Sequence, residues 1–377
     1  MRIAVAGVRG VPANFGGSET AAEEIGRRLV ERGHEVTVYC RAHNSRTNSA
    51  MYAGMRRVVL PSINTFNFDT ISHSFLASLH LLATNTADVV HFHGMGNALL
   101  LPLFWFSRKR TVVTIDGPDW ERPKWGRVAK MALRLSARLA ARWADALIID
   151  NHPAIAYFRR NFGVEGVYIP YGADPTLPTA SPYLDELGLQ RRRYLLFVGA
   201  LVPDKGPDLL VDAYRRVETD MPLVVVGDSP FFPRFRQELR ARADARVRFL
   251  GYVYGDRYRQ LLANAYAYMH PLRSDGTSPA LLQALAYGSC IVINSLPEAL
   301  AAVGDAALPY RLNDPEDLAR QIRRVIDDPE LADELRRRAR DKALREYNWD
   351  TIAAQHEELY AAVLQSSRRD AMARQSG

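Results

Sequence analysis

Residues 270–288 read HPLRSDGTSPALLQALAYG. The first part is extended and punctuated by Pro271 and Gly276, while Pro279 to Tyr287 is built of Ala, Leu, Gln and Tyr behind a Ser-Pro start. That pattern predicts a helix with Thr277 or Ser278 as N-cap and Pro279 at its first position, so that unpaired backbone N–H groups point back at the loop. A helix start fed by a small-residue loop favours an anion, and a phosphate or diphosphate is the anion expected there. Asp275 and Gln283, eight positions apart, fall one in the loop and one about two turns into the helix, each within reach of ligand hydroxyls.

Working outward, short Val/Ile-rich runs alternate with helical patterns along the whole chain. Toward the N-terminus these are Ile3–Ala6, a helix from Ser18 to Arg32 with Ser18 as cap, Glu35–Cys40, Arg57–Leu60, a helix near Ser72–Ala83, Asp88–Phe92, a helix near Ala98–Phe106, Thr111–Ile115, a long helix about Lys124–Ala144, Ala146–Ile149, a helix near Pro153–Phe162 and Val167–Ile169. After a stretch rich in Pro, Gly, Ser and Ala at Pro170–Pro182, read as a linker, the rhythm restarts at Tyr194–Val198. Continuous apolar strands joined by helices specify parallel sheets covered on both faces. The expected fold is α/β, with two Rossmann-like doubly wound domains. The first spans 1–172, the second 183–348, and a last helix at about 349–365 crosses back to the first. Ligands of such sheets bind outside the carboxyl ends of the strands, which places the expected site in a cleft between the domains.

Length and composition agree with two cores: 377 residues, 47% of them hydrophobic and 24% charged. Cys40 and Cys290 are the only cysteines and have no metal-ligand spacing, which speaks against a disulfide scaffold or structural zinc and for a reducing cytoplasm. The opening MRIAVAGVRG reads as a buried strand rather than a signal peptide, and no run approaches the ~20 apolar residues of a membrane span. The net charge of +7 is uneven: residues 1–175 hold 21 Lys and Arg against 14 Asp and Glu, residues 176–377 hold 28 against 28. A basic first half suggests an anionic partner surface, although a merely solvated arginine-rich face has the same composition. The helix with Arg127, Lys130, Arg134, Arg138 and Arg142, led by Trp120 and Trp125, fits an anionic membrane surface, and no nucleic-acid module is recognisable.

Several motifs sit where strand ends are expected. GVRGVPANFGG lacks the third glycine of a dinucleotide fingerprint, and the next strand ends without a ribose-binding acid. Gly16 and Gly17 instead suggest backbone amides near a phosphate or sugar. His93 and Asp116 end neighbouring strands and are candidates for the reacting sugar or the incoming hydroxyl. His91 and His93 lack a third ligand, so no metal is expected. In FVGALVPDKG, Lys205 lies between strand and helix, where a fixed cation can neutralise a leaving diphosphate. Gly227 and Tyr252 follow strands at the nucleotide end, Tyr252 as a surface for stacking or for packing.

These residues resemble the retaining GT-B glycosyltransferases of glycosyltransferase family 4 over nearly the whole chain. GVRGVPANFGGSET, RGHEVTVYCR and TIDGPDWERPKWGR are similar to the bacterial branch that includes rhamnosyltransferases of polysaccharide assembly. The resemblance implies a nucleotide-sugar donor on the second domain, an acceptor on the first, no metal or cofactor, retained anomeric configuration, and work on glycans or lipid-linked precursors at a membrane surface. The family's paired glutamates fall on Asp275 and Gln283, and its basic pair on Ala200 and Lys205, so one carboxylate is an amide and the arginine is absent.

The expected enzyme is thus a hexosyltransferase of the cell envelope, cytoplasmic or peripheral on the inner membrane face, with rhamnose as the leading sugar. Asp116, Lys205 and Asp275 are the candidate catalytic residues. Gly16, Gly17, Lys205, Gly227, Tyr252, Arg273, Gly276, Thr277 and Gln283 are assigned to the donor, with His93, Trp120 and Arg122 on the acceptor side. A weak or inactive nucleotide-sugar-binding protein and a nucleotide-sugar epimerase remain the alternatives.

Overall fold

The structure is a computed structural model and describes all residues except 14–16, 46, 48, 66–67, 122–124, 231, 274–277 and 367–377. Asp275, Gly276 and Thr277, together with Gly16 and Arg122, therefore lie outside the described residues. The chain divides into two units, Met1–Tyr171 with Trp349–Gly377, and Gly172–Asn348.

The first unit runs β1 (Arg2–Ala6), α1 (Gly17–Glu31), β2 (Glu35–Arg41), β3 (Met51–Tyr52), β4 (Met55–Leu60), α2 (Asp69–Thr84), β5 (Val89–His93), β6 (Arg110–Ile115), α3 (Arg127–Trp143), β7 (Ala146–Ile149), α4 (His152–Phe162) and β8 (Val167–Tyr168). The strands form one sheet in the order β3-β4-β2-β1-β5-β6-β7-β8, parallel except for the β3–β4 pair. Central β1 pairs Val5 with Val38 on one side and with His91 on the other. The order reverses direction at β1, so the loops after β1 and β5 open beside each other at the carboxyl edge.

The second unit runs α5 (Pro182–Glu186), β9 (Leu195–Val198), α6 (Pro207–Tyr214), β10 (Leu223–Val226), α7 (Pro233–Arg242), β11 (Val247–Gly251), α8 (Gly255–Asn264), β12 (Ala267–His270), α9 (Pro279–Ala286), β13 (Cys290–Asn294), α10 (Pro297–Val303), β14 (Leu308–Tyr310), α11 (Pro315–Asp327) and α12 (Pro329–Glu346). Its sheet, β11-β10-β9-β12-β13-β14, is wholly parallel. The last helix, α13 (Trp349–Gln365), belongs to the first unit, where Trp349, Ile352, Tyr360 and Val363 share a core with Ile3, Val5 and Val89. Both units are Rossmann-like, as the alternating strand and helix patterns predict.

Local differences from the sequence reading have local causes. The helix expected near Ala98–Phe106 is a 3-10 run, Met95–Phe104, with Pro102 inside it, because proline lacks the N–H that an α-helix needs there. Ser18 lies inside α1, which begins at Gly17, and so does not cap it. Short β3 and β14 escape recognition because two or three residues carry too little periodicity.

Three histidines tie α13 to the first sheet. His91 is buried, with Nδ1 2.7 Å from the Tyr360 hydroxyl and Nε2 2.7 Å from Thr114 Oγ1. His93 lies against it, ring centroids 4.4 Å apart, and His356 Nδ1 donates to the Ile352 carbonyl at 2.8 Å. Burial first, then neighbouring imidazoles, holds His91 well below the ordinary 6.5 and lowers His93 to about 3. Burial likewise brings His356 to about 4. These rings stay neutral when folded and take up protons once unfolded below pH 6.5. Stability is therefore complete above that value and declines as pH falls from there toward the folded-state values, by up to about 2 kcal/mol per histidine at pH ~5. The Tm of the wild type should drop steeply between pH ~6.5 and ~4.5, and His356→Gln should flatten that slope. An unchanged slope in the variant would rule the ring out as a contributor.

Candidate active site

In the second unit, the loops after β9, β10 and β12 converge through backbone contacts. Gly206, at φ 66°, approaches the Pro271 carbonyl so closely that a Cβ would lie 2.1 Å from its oxygen. Between β9 and Gly206, Pro203–Lys205 forms one 3-10 turn. Arg273 fastens that turn to the loop after β12. Its backbone N–H donates to the Asp204 carbonyl at 2.9 Å, and Nη1 donates to the Pro203 carbonyl at 2.7 Å. The guanidinium also pairs with both Asp208 oxygens, at 2.8 and 2.9 Å, while Nε donates to Asn313 Oδ1 at 3.1 Å. The bidentate bond to Asp208 raises its pKa still further. With most of its donors committed and its charge matched, Arg273 positions the turn rather than offering a free cation, which differs from the donor-binding role expected of it.

Lys205 differs in kind. Its ammonium pairs with no carboxylate among the described residues, and it stands directly before Gly206 and the start of α6. The Asn294 amide, fully buried, donates to the Leu272 carbonyl and accepts from Leu296 N–H at 2.8 Å, bracing the same loop from β13. Beyond the loop, Ser278 caps α9 by accepting from Leu281 N–H at 3.2 Å. Of the two residues expected to cap, this is the one described.

Gln283 has a neighbour that the sequence does not show. Its Nε2 donates to the Asp174 carbonyl at 2.5 Å and its Oε1 accepts from Asp174 N–H at 3.2 Å. The amide thus grips a backbone unit 109 positions away, leaving one N–H and one lone pair uncommitted among the described residues. A carboxylate here would set oxygen against the Asp174 carbonyl, which gives the amide a structural reason.

Gly227 sits at the end of β10, and the adjacent Asp228 pairs with Arg236 at 2.6 Å. Burial alone would raise its carboxyl; the Arg236 and Ser229 hydrogen bonds outweigh it and lower the pKa. Tyr252 is half exposed and lies parallel to Tyr254 with centroids 5.9 Å apart.

At the strand ends of the first unit, Asn151 is a residue that sequence reasoning misses. Its Nδ2 donates to the Asp116 carbonyl at 2.7 Å and to Asp150 Oδ1 at 2.8 Å, while its Oδ1 caps α4 at Ala154 N–H. The Asn-His-Pro start of α4 is the signal that marks this cap. Tyr171 faces Asp116 and Asp150: desolvation first, then their negative charge, raises its hydroxyl well above 10. His93 is buried, and its Nδ1 has no partner among the described residues. Gly17 begins α1, but Glu19 accepts Arg9 N–H at 2.9 Å and Glu23 accepts Ala13 N–H at 2.5 Å. Carboxylates thus occupy amides of this loop, which weakens its claim on a phosphate. Trp120, expected on the acceptor side, is buried against Tyr157 and Phe162. Among the described residues no group of three His, Cys, Asp or Glu is placed to hold a metal ion.

Two Rossmann-like units, each built on a doubly wound, largely parallel sheet, are the elements of the GT-B class of architecture. Comparison with known proteins agrees: residues 15–177 match the Glycosyltransferase Family 4 sequence model and residues 192–328 match that of Glycosyl transferases group 1. The chain is a GT-B glycosyltransferase. It is 23% identical to N-acetyl-alpha-D-glucosaminyl L-malate synthase of Bacillus anthracis, over 94% of this chain and 96% of that protein. It is 27% identical to D-rhamnosyltransferase WbpZ of Pseudomonas aeruginosa, over 67% of this chain and 68% of the other. The crystal structure of Anabaena HepE in complex with UDP and glucose superposes with a TM-score of 0.78 at 19% identity, covering 96% of this chain and 100% of that one.

Proposed function

We propose that the protein transfers a hexose or deoxyhexose, with rhamnose the leading sugar, from a nucleoside-diphosphate sugar to a hydroxyl of a cell-surface glycan or lipid-linked precursor, with retention of configuration. The observation that carries this reading is the ammonium of Lys205, which pairs with no carboxylate among the described residues, on a turn held rigid by Arg273 and Asp208. A fixed cation at that position offsets the charge that develops on a departing diphosphate, without reorganisation at the moment of reaction. The bond from the anomeric carbon to the diphosphate breaks, and a bond to the acceptor oxygen forms on the same face. The acceptor's proton passes to a phosphate oxygen. Asp116 and Asp275 orient the donor sugar or acceptor, and His93 and Arg122 are assigned to the acceptor. Tyr252 offers a stacking face to the base, and the backbone at Gly227, Gly276 and Thr277 completes the donor side; Gln283 uses its remaining hydrogen-bond capacity on the ribose. Gly16 and Gly17 are assigned to the donor.

No metal ion or cofactor is needed in this scheme, because positioning and fixed charge supply the catalysis. The enzyme works in the cytoplasm at the inner face of the cell membrane. Among the described residues no helix is long and apolar enough to cross a membrane. WbpZ, a D-rhamnosyltransferase by name, supports the sugar, and the UDP bound by HepE supports the donor class. The test is a panel of nucleotide sugars with the purified chain, in EDTA, with the product's anomeric configuration read by NMR. Transfer with retention is expected. Donor conversion without any acceptor would replace the reading with epimerisation, and tight donor binding without turnover would replace it with a binding protein.

A further inference from the structure

Helix α3 is built inside out for a helix on a sheet. The residues it buries fully are small, Ser136, Ala137, Ala140 and Ala141, with Leu133 and Trp143 part-buried beside them, whereas Val128, Met131 and Leu135 face away. Val128 is 77% exposed, Met131 68% and Leu135 48%. Their spacing puts all three on one side of the helix. An amphipathic helix stabilised only by its own domain would show the reverse arrangement.

The neighbouring elements continue the pattern. Ala77 and Leu81 of α2, Ala98 and Phe104 of the 3-10 run, and Ala137 and Ala140 of α3 share one core on one face of the first sheet. On the outer sides of the same layer, Phe75 and Leu79 of α2 are exposed, and Phe106, two residues beyond the 3-10 run, is 95% exposed. Single exposed apolar residues are ordinary; six large ones on three adjacent elements are not. Around them α3 carries Arg127, Lys130, Arg134, Arg138 and Arg142 and no acidic residue at all.

We propose that this face of the first unit lies on an anionic lipid bilayer, with Phe106, Val128, Met131 and Leu135 below the headgroups and the α3 cations at the phosphates. Charge selects this occupant. A second copy of the chain docked through the same face about a two-fold axis would set like charges against each other, whereas anionic headgroups complement them. Trp120, expected to flank the contact, is buried in the core and does not carry it. The inference deepens the membrane side of the proposed function but needs neither donor nor acceptor to be tested, so the two readings fail separately.

The experiment is co-sedimentation of the full chain with vesicles of phosphatidylglycerol and phosphatidylcholine, and with phosphatidylcholine alone, at about 0.1 M salt. Binding to the anionic vesicles is expected. Arg127→Gln/Arg134→Gln/Arg138→Gln should weaken it by about 100-fold, as three basic side chains leave a charged surface. Phe106→Asp should weaken it at least ~10-fold through lost apolar insertion. Both variants change exposed side chains, and unchanged thermal unfolding verifies that each is folded. Phe106→Trp adds a direct readout, a blue-shifted emission on anionic vesicles only. Equal binding to both vesicle types, or binding indifferent to Phe106→Asp, overturns the proposal. So does a dimer that Phe106→Asp dissociates in the absence of vesicle binding, which would assign the face to a second copy.

Discussion

Lys205→Ala is expected to lower turnover at least ~100-fold, the scale of removing one charge-stabilising donor from a developing oxyanion. Thermal stability should stay within about 2 °C of the wild type, because the ammonium holds no partner among the described residues that the fold would miss. The loss should fall mainly in kcat. A diphosphate carries its extra charge only as the sugar departs, so a cation acting on that charge is felt in the transition state more than in donor binding. Steady-state kinetics on the donor identified by the panel, alongside a melting curve, provides the check. Near-normal kcat in a folded variant would remove Lys205 from the reaction. A raised donor KM with unchanged kcat would leave it a binding contact only. Arg273 is not expected to compensate, since its guanidinium is already spanned by Asp208.

The second large effect is on stability. Gly227 has φ 122°, and a Cβ there would lie 2.0 Å from the Gly199 carbonyl oxygen and 2.8 Å from its carbon. Both contacts are backbone at the end of a neighbouring strand, so no side chain can swing aside. Gly227→Ala should therefore destabilise the second unit by about 3 kcal/mol or more, combining the conformational penalty with a forced shift of the β9 and β10 ends. For a unit of this size that is a Tm lower by roughly 6–12 °C. Gly251→Ala is the internal comparison. Its φ of 67° is also left-handed, but nothing lies within 4 Å of the added Cβ, so only the ~1 kcal/mol conformational cost should appear. Equal melting of the two variants would mean that the close approach of Gly199 is not a feature of the folded chain. Because Gly199 precedes the turn that bears Lys205, Gly227→Ala should also reduce turnover in whatever fraction stays folded.

Much of this architecture is legible in the order of residues alone. The strands alternate with helices at the spacings of a parallel sheet covered on both faces, and Ser278-Pro279 marks the start of α9 at the residue where it is found. Such features are legible because they are local: periodicity, caps and proline positions act within a few residues. Lys205 is recognisable for the same reason, as a cation between a strand and a helix. Where local rules conflict, the reading slips, as at the Pro102-containing 3-10 run.

Tertiary structure alone decided which partner each long side chain takes. Asp208 lies 65 positions before Arg273, and Asp174 lies 109 before Gln283; nothing in the intervening sequence announces either bond. Those two pairings turn one expected cation into a brace and commit part of the Gln283 amide to a clasp on the backbone. The same holds for orientation. Trp120 and Phe106 are equally apolar in sequence, yet one is buried against Tyr157 and the other stands almost wholly in solvent. Helix periodicity tells that α3 has two faces, but it does not tell which one the sheet takes. Ser136, Ala137, Ala140 and Ala141 took that contact, with Leu133 and Trp143 part-buried beside them, and Val128, Met131 and Leu135 made the outer surface.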